Sequence, residues 1–264
     1  MKSICIALFL TFVFVKACFS QQVKVIALKV NGVDSSRGFT WQYEFYYPYI
    51  VCSNNAVQDS LNEALLSNIS PDSIGGLDTN SIKHYLTLAG KENYTGILYN
   101  EIFASPKLLG IDIWASATAA YPHSWLTHYV FNTITGHRYE LREIIVSNKQ
   151  NEFAAQLMVD MNDSMNNHVI EIIKEVKTGY RDSSELDDLN YFMDECLQGL
   201  DTDRILDCDF YFQNGTLVLE SICSFPHVAK ALQPFFQIPY PAKSIREFLV
   251  PEIYEQLISE KGKK

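Results

Sequence analysis

The chain has 264 residues, of which 47% are hydrophobic and 20% are charged, so it is long and apolar enough to bury a sizeable core. Its 31 acidic residues outnumber its 21 basic residues, and the net charge of −10 at pH 7 argues against nucleic acid as a partner. Such a balance favours solubility and attracts cationic partners, although ordinary solvated surface charge is its simplest explanation.

Residues 1–20, MKSICIALFLTFVFVKACFS, have the pattern of a secretory signal peptide, with Lys2 ahead of an apolar run at 4–15. A membrane span needs about 20 apolar residues and this run is shorter, so we expect no transmembrane segment in the mature chain. The expected protein is exported, to the periplasm or the cell surface. A lipoprotein cleaved before Cys18 is the less favoured alternative, because Lys16 stands where lipidation signals usually carry small residues.

Four cysteines follow the signal segment, an even number that predicts disulfide bonds in an exported chain: Cys52, Cys196, Cys208 and Cys223. In a hairpin predicted around the second Asn-Gly pair, Cys208 and Cys223 lie diagonally, so a direct bond between them requires a bulge. The favoured pairing joins Cys196 to one of these two, and buried free thiols are the alternative. No cysteine or histidine cluster has the spacing of a zinc site, and we expect neither a metal nor a cofactor.

The first half of the chain carries the signals of strands around one short helix. Alternating apolar residues predict strands at 22–31 and 38–51, and the second places the aromatic residues of WQYEFYYPYI on alternating faces, mostly as core. Helical spacing predicts a short amphipathic helix at 57–69, followed by a turn-rich segment at 71–80. Strand-like patterns return at 85–129, in the segments YTGILYNEIF, KLLGIDIWASATA and SWLTHYVFN.

The second half predicts a long helix at 151–177, where apolar residues recur every three or four positions. Residues 182–203 hold eight acidic side chains and no basic one, which predicts a solvated, partly helical acidic region. The Asn-Gly pair between ILDCDFYF and TLVLESIC predicts a tight hairpin, followed by a strand at 234–240. A helix is predicted at 243–257, with Pro251 either kinking it or opening a second helix. The fold class is therefore α+β, with antiparallel or mixed β-sheets whose hairpins pack against one long and two shorter helices.

A further hairpin is predicted for the segment HYVFNTITGHRYELREII. With Gly136 in the left-handed region, Phe131 would face Tyr139 in the core, and His128 would lie across from Arg142 on the solvent face. A plain exposed histidine is the simplest interpretation of His128.

Ligand-binding residues are sought near this hairpin, because aromatic side chains cluster there at Trp114, Tyr121 and Trp125. Such aromatic residues can bind sugars or partner proteins, although most aromatic residues of a sheet belong to the core. The candidate ligand-binding residues are Tyr121, His123, Trp125, His128 and Arg142. No catalytic residue is nominated, because the chain lacks the common hydrolase, metalloprotease and nucleotide-binding motifs and no carboxylate pair stands out. The aspartates at 201–209 lack the glycine and terminal glutamate of a calcium loop, so solvated charge is favoured over calcium.

The order of several segments resembles the extracytoplasmic domains of domain-of-unknown-function family 3298. These segments are FYYPYI, VQDSLNEAL, TAAYPHSWLTHYVFNTITGHRYELREII, a long helix, FYFQNGTLVL, and FFQIPY before a helix. Residues 21–105 resemble the companion family 4163, and residues 106–264 resemble family 3298 itself. The resemblance implies a bacterial cell-envelope protein with an α+β fold.

Members of the family include the lysozyme-binding sensor domain of the anti-sigma factor RsiV and the N-terminal part of the peptidoglycan deacetylase PdaC, but neither signalling nor deacetylation is expected to carry over. Turn and core residues at 131–141 and 238–240 keep the family pattern. The family's Gly-Gly-Ala-His segment is replaced at 118–121, and its Ala-Pro-Tyr-Ala-x-Gly segment at 227–232. The resemblance therefore supports a prediction of the fold more strongly than a prediction of any functional site.

From these observations we expect an exported, non-enzymatic binding module of the bacterial cell envelope. Its implied partner is a cationic protein such as lysozyme, or cell-wall glycan. The alternative is an envelope hydrolase acting on peptidoglycan or other glycans, which would require two carboxylates, or a histidine with a nucleophile, in one cleft.

Overall fold

The computed structural model describes residues 23–35, 40–67, 69, 76–118, 123–220, 223 and 225–259, and the predicted signal segment lies outside these ranges. The chain divides into two compact units, of which the first ends at Arg138 and the second begins at Tyr139. The division at 105 and 106 that the family resemblance implies stays a prediction. Among the described helices, none is both long and apolar enough to cross a membrane.

The first unit is a five-stranded sheet with two helices. Its elements in chain order are β1 (Lys24–Asp34), β2 (Trp41–Val51), α1 (Asn55–Leu66), α2 (Thr79–Lys91), β3 (Tyr94–Ala104), β4 (Leu108–Ala117) and β5 (His123–Asn132). The strands lie in the order β1-β2-β3-β4-β5, and all neighbours are antiparallel except β2 and β3, which are parallel. The sheet is therefore mixed.

The alternation of β2 is confirmed and defines the two faces of this sheet. Tyr43, Phe45 and Tyr47 are buried in the core of the unit, whereas Glu44 and Tyr46 point to the opposite face, which we call the outer face. The same core receives residues of the other strands and of both helices, including Leu28, Leu61, Ile82, Ile97, Ile113 and Tyr129. Both helices therefore cover the inner face of the sheet.

Helix α2 corrects the sequence-based expectation of a turn followed by a strand. Ile82 and Leu86 have helical spacing and are buried, but the neighbouring threonines and tyrosines obscure that pattern in the sequence. The helix begins at Thr79 and is capped by Asp78, whose carboxylate accepts hydrogen bonds from the backbone N–H groups of Asn80 and Ser81. A local cap therefore turns a segment of weak propensity into a helix.

The prediction that the second strand of a hairpin follows β5 is wrong. Strand β5 ends at Asn132, and the chain turns through Gly136, whose φ of 79° lies in the left-handed region. Only a single bridge between Phe131 and Arg138 continues the pairing, so Phe131 does not face Tyr139. The side-chain oxygen of Asn132 accepts hydrogen bonds from the next N–H groups and closes the turn early.

The second unit combines a three-stranded antiparallel sheet, β6-β7-β8, with helices. Its elements are α3 (Leu141–Ile144), α4 (Gln150–Lys177), α5 (Ser184–Gln198), α6 (Thr202–Ile205), β6 (Phe210–Gln213), β7 (Thr216–Glu220), β8 (Gln237–Pro241) and α7 (Pro251–Ser259). The predicted tight hairpin is confirmed: Asn214 and Gly215 have φ of 52° and 73°, and Phe212 pairs with Leu217. The long helix and the α+β class are confirmed as well.

A second hydrophobic cluster holds α4, α5 and the segment after β7 together. Met165 and Ile172 of α4 pack with Leu189 and Met193 of α5. A disulfide bond joins Cys196 and Cys223 with their Cα atoms 5.7 Å apart, whereas the thiols of Cys52 and Cys208 are free and buried. Helix α5 is therefore fixed both covalently and by apolar packing.

Candidate binding surfaces

His128 is buried, and the expectation that it is exposed is wrong. Its side chain is 2% exposed, and Nδ1 lies 2.5 Å from a carboxylate oxygen of Asp112, the residue directly opposite on β4. The pair therefore links two neighbouring strands on the outer face. A side chain so enclosed has no access to a ligand in solvent.

Arg142 belongs to the second unit, so it is not the cross-strand partner of His128. Its guanidinium donates hydrogen bonds to the carboxylate of Asp207 and to the backbone carbonyl of Asp203. The interaction with Asp207 raises the pKa of Arg142 above its ordinary value. These contacts tie α3 to the segment around α6, which is a structural role.

His123 and Trp125 lie together at the start of β5 on the inner face of the sheet. Their rings are stacked, with centroids 5.3 Å apart, and Trp125 meets Tyr94 edge to face at 5.6 Å. Both Trp125 and Tyr94 pack against the core of the unit, so these two rings stabilise the sheet. Tyr121 lies outside the described residues.

An open groove of about 570 Å³ lies between the start of α1 and the start of α2, and its lining includes Tyr49, Gln58, Asp59 and Asp78. The phenol of Tyr49 accepts a hydrogen bond from Gln58. Hydrogen bonds from Ser81 and from the helix N–H groups lower the pKa of Asp78. A glycosidase acid requires a raised pKa, so Asp78 is built as a helix cap and not as a general acid.

Helix α5 presents an exposed acidic surface on the side opposite its buried residues. We call this surface the acidic face; it consists of Asp187, Asp188, Tyr191, Asp194 and Glu195. The spacing of three and four residues places all five on one side of the helix. Sequence analysis located the acidic region, but only the helical phase shows that its charges are aligned.

The charges of the acidic face are available to a partner. In the described part of the chain, no ion pair engages Asp187, Asp188 or Asp194. Tyr191 is 57% exposed and donates a hydrogen bond of 2.6 Å to Glu195. The described residues contain no group of three His, Cys, Asp or Glu side chains placed to hold a metal ion. Helix α5 thus presents aligned carboxylates beside an exposed tyrosine.

No protein-family model matches the chain, and no curated protein sequence matches it. Solved structures that are similar to it include the following two. A member of the domain-of-unknown-function family 3298 from Bacteroides fragilis has a TM-score of 0.54 and 13% identity, covering 91% of this chain and 99% of that one. A family 3298 protein from Pseudomonas aeruginosa has a TM-score of 0.51 and 9% identity, covering 89% of this chain and 98% of that one.

Identities this low carry the fold and not the function. The similarity to the companion family 4163 stays a prediction. The resemblance that the order of sequence segments indicates is confirmed at the level of architecture: the chain has the fold of these two family 3298 proteins.

Proposed function

We propose that the protein is an exported, non-enzymatic binding module of the bacterial cell envelope that recognises a cationic protein through the acidic face of α5. The observation that carries this proposal is the alignment of four carboxylates around an exposed tyrosine on one helix. Lysozyme, a strongly basic protein that attacks cell walls, is the partner class that the family resemblance brings forward.

The surface is suited to such a partner for two physical reasons. Aligned carboxylates steer a cationic protein to the helix and speed its association, an effect that falls as salt screens the charges. Tyrosine is common at binding hot spots because it combines a large apolar ring with a hydrogen-bonding hydroxyl. The disulfide bond at Cys196 and the buried Leu189 and Met193 hold this face rigid, which limits the entropy lost on binding.

Titration calorimetry with lysozyme at low salt tests the proposal. Neutralising the acidic face with Asp187→Asn, Asp188→Asn, Asp194→Asn and Glu195→Gln is expected to weaken binding at least tenfold. The control neutralises four exposed glutamates on other elements, namely Glu63→Gln, Glu92→Gln, Glu101→Gln and Glu255→Gln. Both variants change the net charge equally, so only a local site distinguishes them.

The titrations are repeated at physiological salt, where the screening length is about 8 Å. There the α5 variant is again expected to bind at least tenfold more weakly than the unaltered protein, whereas the control variant is expected to keep its affinity within about threefold. Equal losses in the two variants would show attraction by net charge alone. Retention of full affinity by the α5 variant, or no binding of lysozyme by the unaltered protein at low salt, would refute the proposal.

A further inference from the structure

The outer face of the five-stranded sheet carries a row of exposed apolar side chains. Leu98 on β3, Trp114 on β4 and Leu126 on β5 lie directly opposite one another in the strand register. They are 48%, 38% and 41% exposed, whereas Ile97 and Ile113 on the inner face are buried. We call Leu98, Trp114 and Leu126 the indole row.

A glycine on the neighbouring strand makes room for the indole of Trp114. A Cβ atom at Gly96 would lie only 3.2 Å from Cζ3 of the indole and 3.9 Å from Cη2. The missing side chain lets the ring extend across β3 toward β2, where Glu44 is in register with Gly96. The indole is thereby supported by backbone from below and stays accessible from solvent.

Polar groups with little net charge border this ring. Glu44 lies 2.9 Å from Nζ of Lys29 and accepts a hydrogen bond of 3.0 Å from Tyr46. These two hydrogen bonds lower the pKa of Glu44, and its charge is offset by that of Lys29. On the next rung, by which we mean the next set of facing residues across the strands, the hydroxyls of Thr95 and Ser116 lie 2.9 Å apart. The border therefore offers donors and acceptors and little attraction for an ion.

Hydrogen-bonding groups also follow on the other side of the indole row. Asn100 and Asp112 are opposite each other in the strand register, two residues along from Leu98 and Trp114. Asn100 is exposed. Asp112 is partly exposed, and one of its carboxylate oxygens contacts Nδ1 of His128. The apolar row is therefore one residue wide and lies between polar rungs.

We propose that the indole row is a binding platform for an uncharged saccharide chain. A sugar ring has an apolar C–H face that stacks on an indole and a rim of hydroxyls that needs hydrogen-bond partners, which matches an apolar row bordered by polar rungs. Three neighbouring strands at a spacing of about 4.8 Å make the row about 10 Å long, room for a short chain of rings.

Other ligand classes fit this surface less well. A protein or lipid that docks through apolar contact requires a broad contiguous apolar patch, and this row is a single residue wide. A phosphate-bearing ligand would gain little here, because Lys29, the cation at this border, is already bonded to Glu44 and Tyr46. The inference does not depend on the acidic face of α5, because the indole row belongs to the first unit and α5 to the second.

Titration calorimetry and tryptophan fluorescence with N,N′,N″-triacetylchitotriose and with cellotriose test this platform. We expect saturable binding of at least one of these neutral trisaccharides, and the preferred one identifies the sugar type. Trp114→Ala is expected to weaken binding at least tenfold and Trp114→Phe by less, since a smaller aromatic ring remains. Tyr180→Ala removes an exposed aromatic side chain of the second unit and is the control, expected to stay within twofold.

Circular dichroism checks the fold of each variant, and Leu126→Ser replaces Trp114→Ala if that variant does not fold. The absence of saturable binding by both trisaccharides would overturn the proposal, as would unchanged affinity in folded Trp114→Ala and Leu126→Ser. Sedimentation adds a further arm. Dimerisation of the unaltered protein that Trp114→Ala abolishes would assign the row to a second copy of the chain and overturn the saccharide platform.

Discussion

At the scale of single residues, Asn62 shows how one buried polar side chain can satisfy the backbone hydrogen-bonding groups near the end of a strand. It is fully buried on α1, its oxygen accepts from the N–H of Ile50 at 2.9 Å, and its amide donates to the carbonyl of Ile50 at 2.8 Å. The amide also donates to the carbonyl of Gln58 at 2.9 Å. The side chain therefore pairs with β2 as a neighbouring strand would.

We expect Asn62→Ala to lower the free energy of unfolding by about 2–4 kcal/mol, because it leaves the buried N–H and carbonyl of Ile50 without their partner. Asn62→Asp should be at least as damaging, since a carboxylate cannot donate to the two carbonyls. Urea unfolding measures both. Asn190→Ala, at an exposed helical position, is the control and should change stability by less than about 0.5 kcal/mol.

Cysteine reactivity is also decided at single residues. Burial raises the pKa of the Cys208 thiol to about 12 and raises that of Cys52. In the chain from residue 21 onward, we expect no rapid reaction with a thiol reagent at pH 8 in the native state, because the thiolate is the reactive form. Two thiols should react in urea, and four in urea after reduction. Four reactive thiols without reduction would contradict the disulfide bond.

The same shift predicts how stability changes in alkaline solution. The pKa of Cys208 is about 12 in the folded chain, above its ordinary value of 9.0, so the folded state holds this proton more tightly. The contribution of the neutral thiol is fully present below about pH 9 and is lost as the pH rises toward 12. Cys208→Ala should show a shallower fall of unfolding free energy over this range, and an identical fall would contradict the assignment.

At the scale of elements, α2 and β2 meet through a glycine and a tyrosine. A Cβ atom at Gly90 would lie 2.6 Å from Cδ2 of Tyr43, and a Cβ atom at Gly32 would lie 2.3 Å from the Tyr43 hydroxyl oxygen. The ring thus has glycines at both of its ends. The indole nitrogen of Trp41 donates to the carbonyl of Gly90 at 2.8 Å and fixes the helix there.

Gly90→Ala places two effects in opposition. Alanine gains about 1 kcal/mol of helix propensity, but forcing a methyl group against a ring that cannot retreat costs about 1–3 kcal/mol. We expect net destabilisation of about 1 kcal/mol in urea unfolding, and Tyr43→Leu in the same chain should reduce the penalty of the alanine. A stabilised Gly90→Ala variant would show that the ring moves freely.

The disulfide bond contributes to the stability of the protein by fixing helix α5 to the segment after β7. It closes a loop with a sequence separation of 27, for which the loss of unfolded-state entropy corresponds to about 3.5 kcal/mol. We expect the double variant Cys196→Ser, Cys223→Ser to lose about this much stability. Reductant should bring the unaltered protein to the same value and leave the double variant unchanged. A further loss in the reduced double variant would point to another bond.

Local chemistry explains which elements the sequence predicts. The hairpin at Asn214-Gly215 needs only two neighbouring residues with positive φ, and the helix at Gln150–Lys177 needs only its own periodicity. The missing strand after Asn132 follows from hydrogen bonds of the Asn132 side chain to the next N–H groups, which periodicity does not show, and the buried state of His128 depends on contacts across the sheet, including Asp112. Periodicity cannot supply those contacts, and the predicted exposure of His128 failed for that reason.

The two binding surfaces depend on still longer range order. The acidic face requires the helical phase of α5, and the acidic composition alone leaves that phase open. The indole row requires three strands in register. It also requires a glycine, Gly96, which lies 18 positions before Trp114 in the chain. Sequence analysis identified Trp114 as one member of an aromatic group and could not identify its neighbours across the sheet.

For the whole molecule, the proposed lysozyme and saccharide surfaces share no residue or element and belong to different units. We therefore expect their binding energies to be independent and additive. Trp114→Ala should keep its affinity for lysozyme within twofold, and the four-residue neutralisation of α5 should keep its affinity for the trisaccharide within twofold. The two ligands should also differ in their response to salt, because only the first depends on unscreened charge.

Titration calorimetry of both variants with both ligands, at low and at physiological salt, measures this independence. Higher salt should weaken lysozyme binding severalfold and leave the trisaccharide affinity unchanged, since stacking on an indole involves no net charge. A matched control is the protein already saturated with trisaccharide, which should bind lysozyme with the same constant. A change of more than threefold in that constant would contradict independence and show that the two surfaces are energetically coupled, because coupling between ligands is reciprocal.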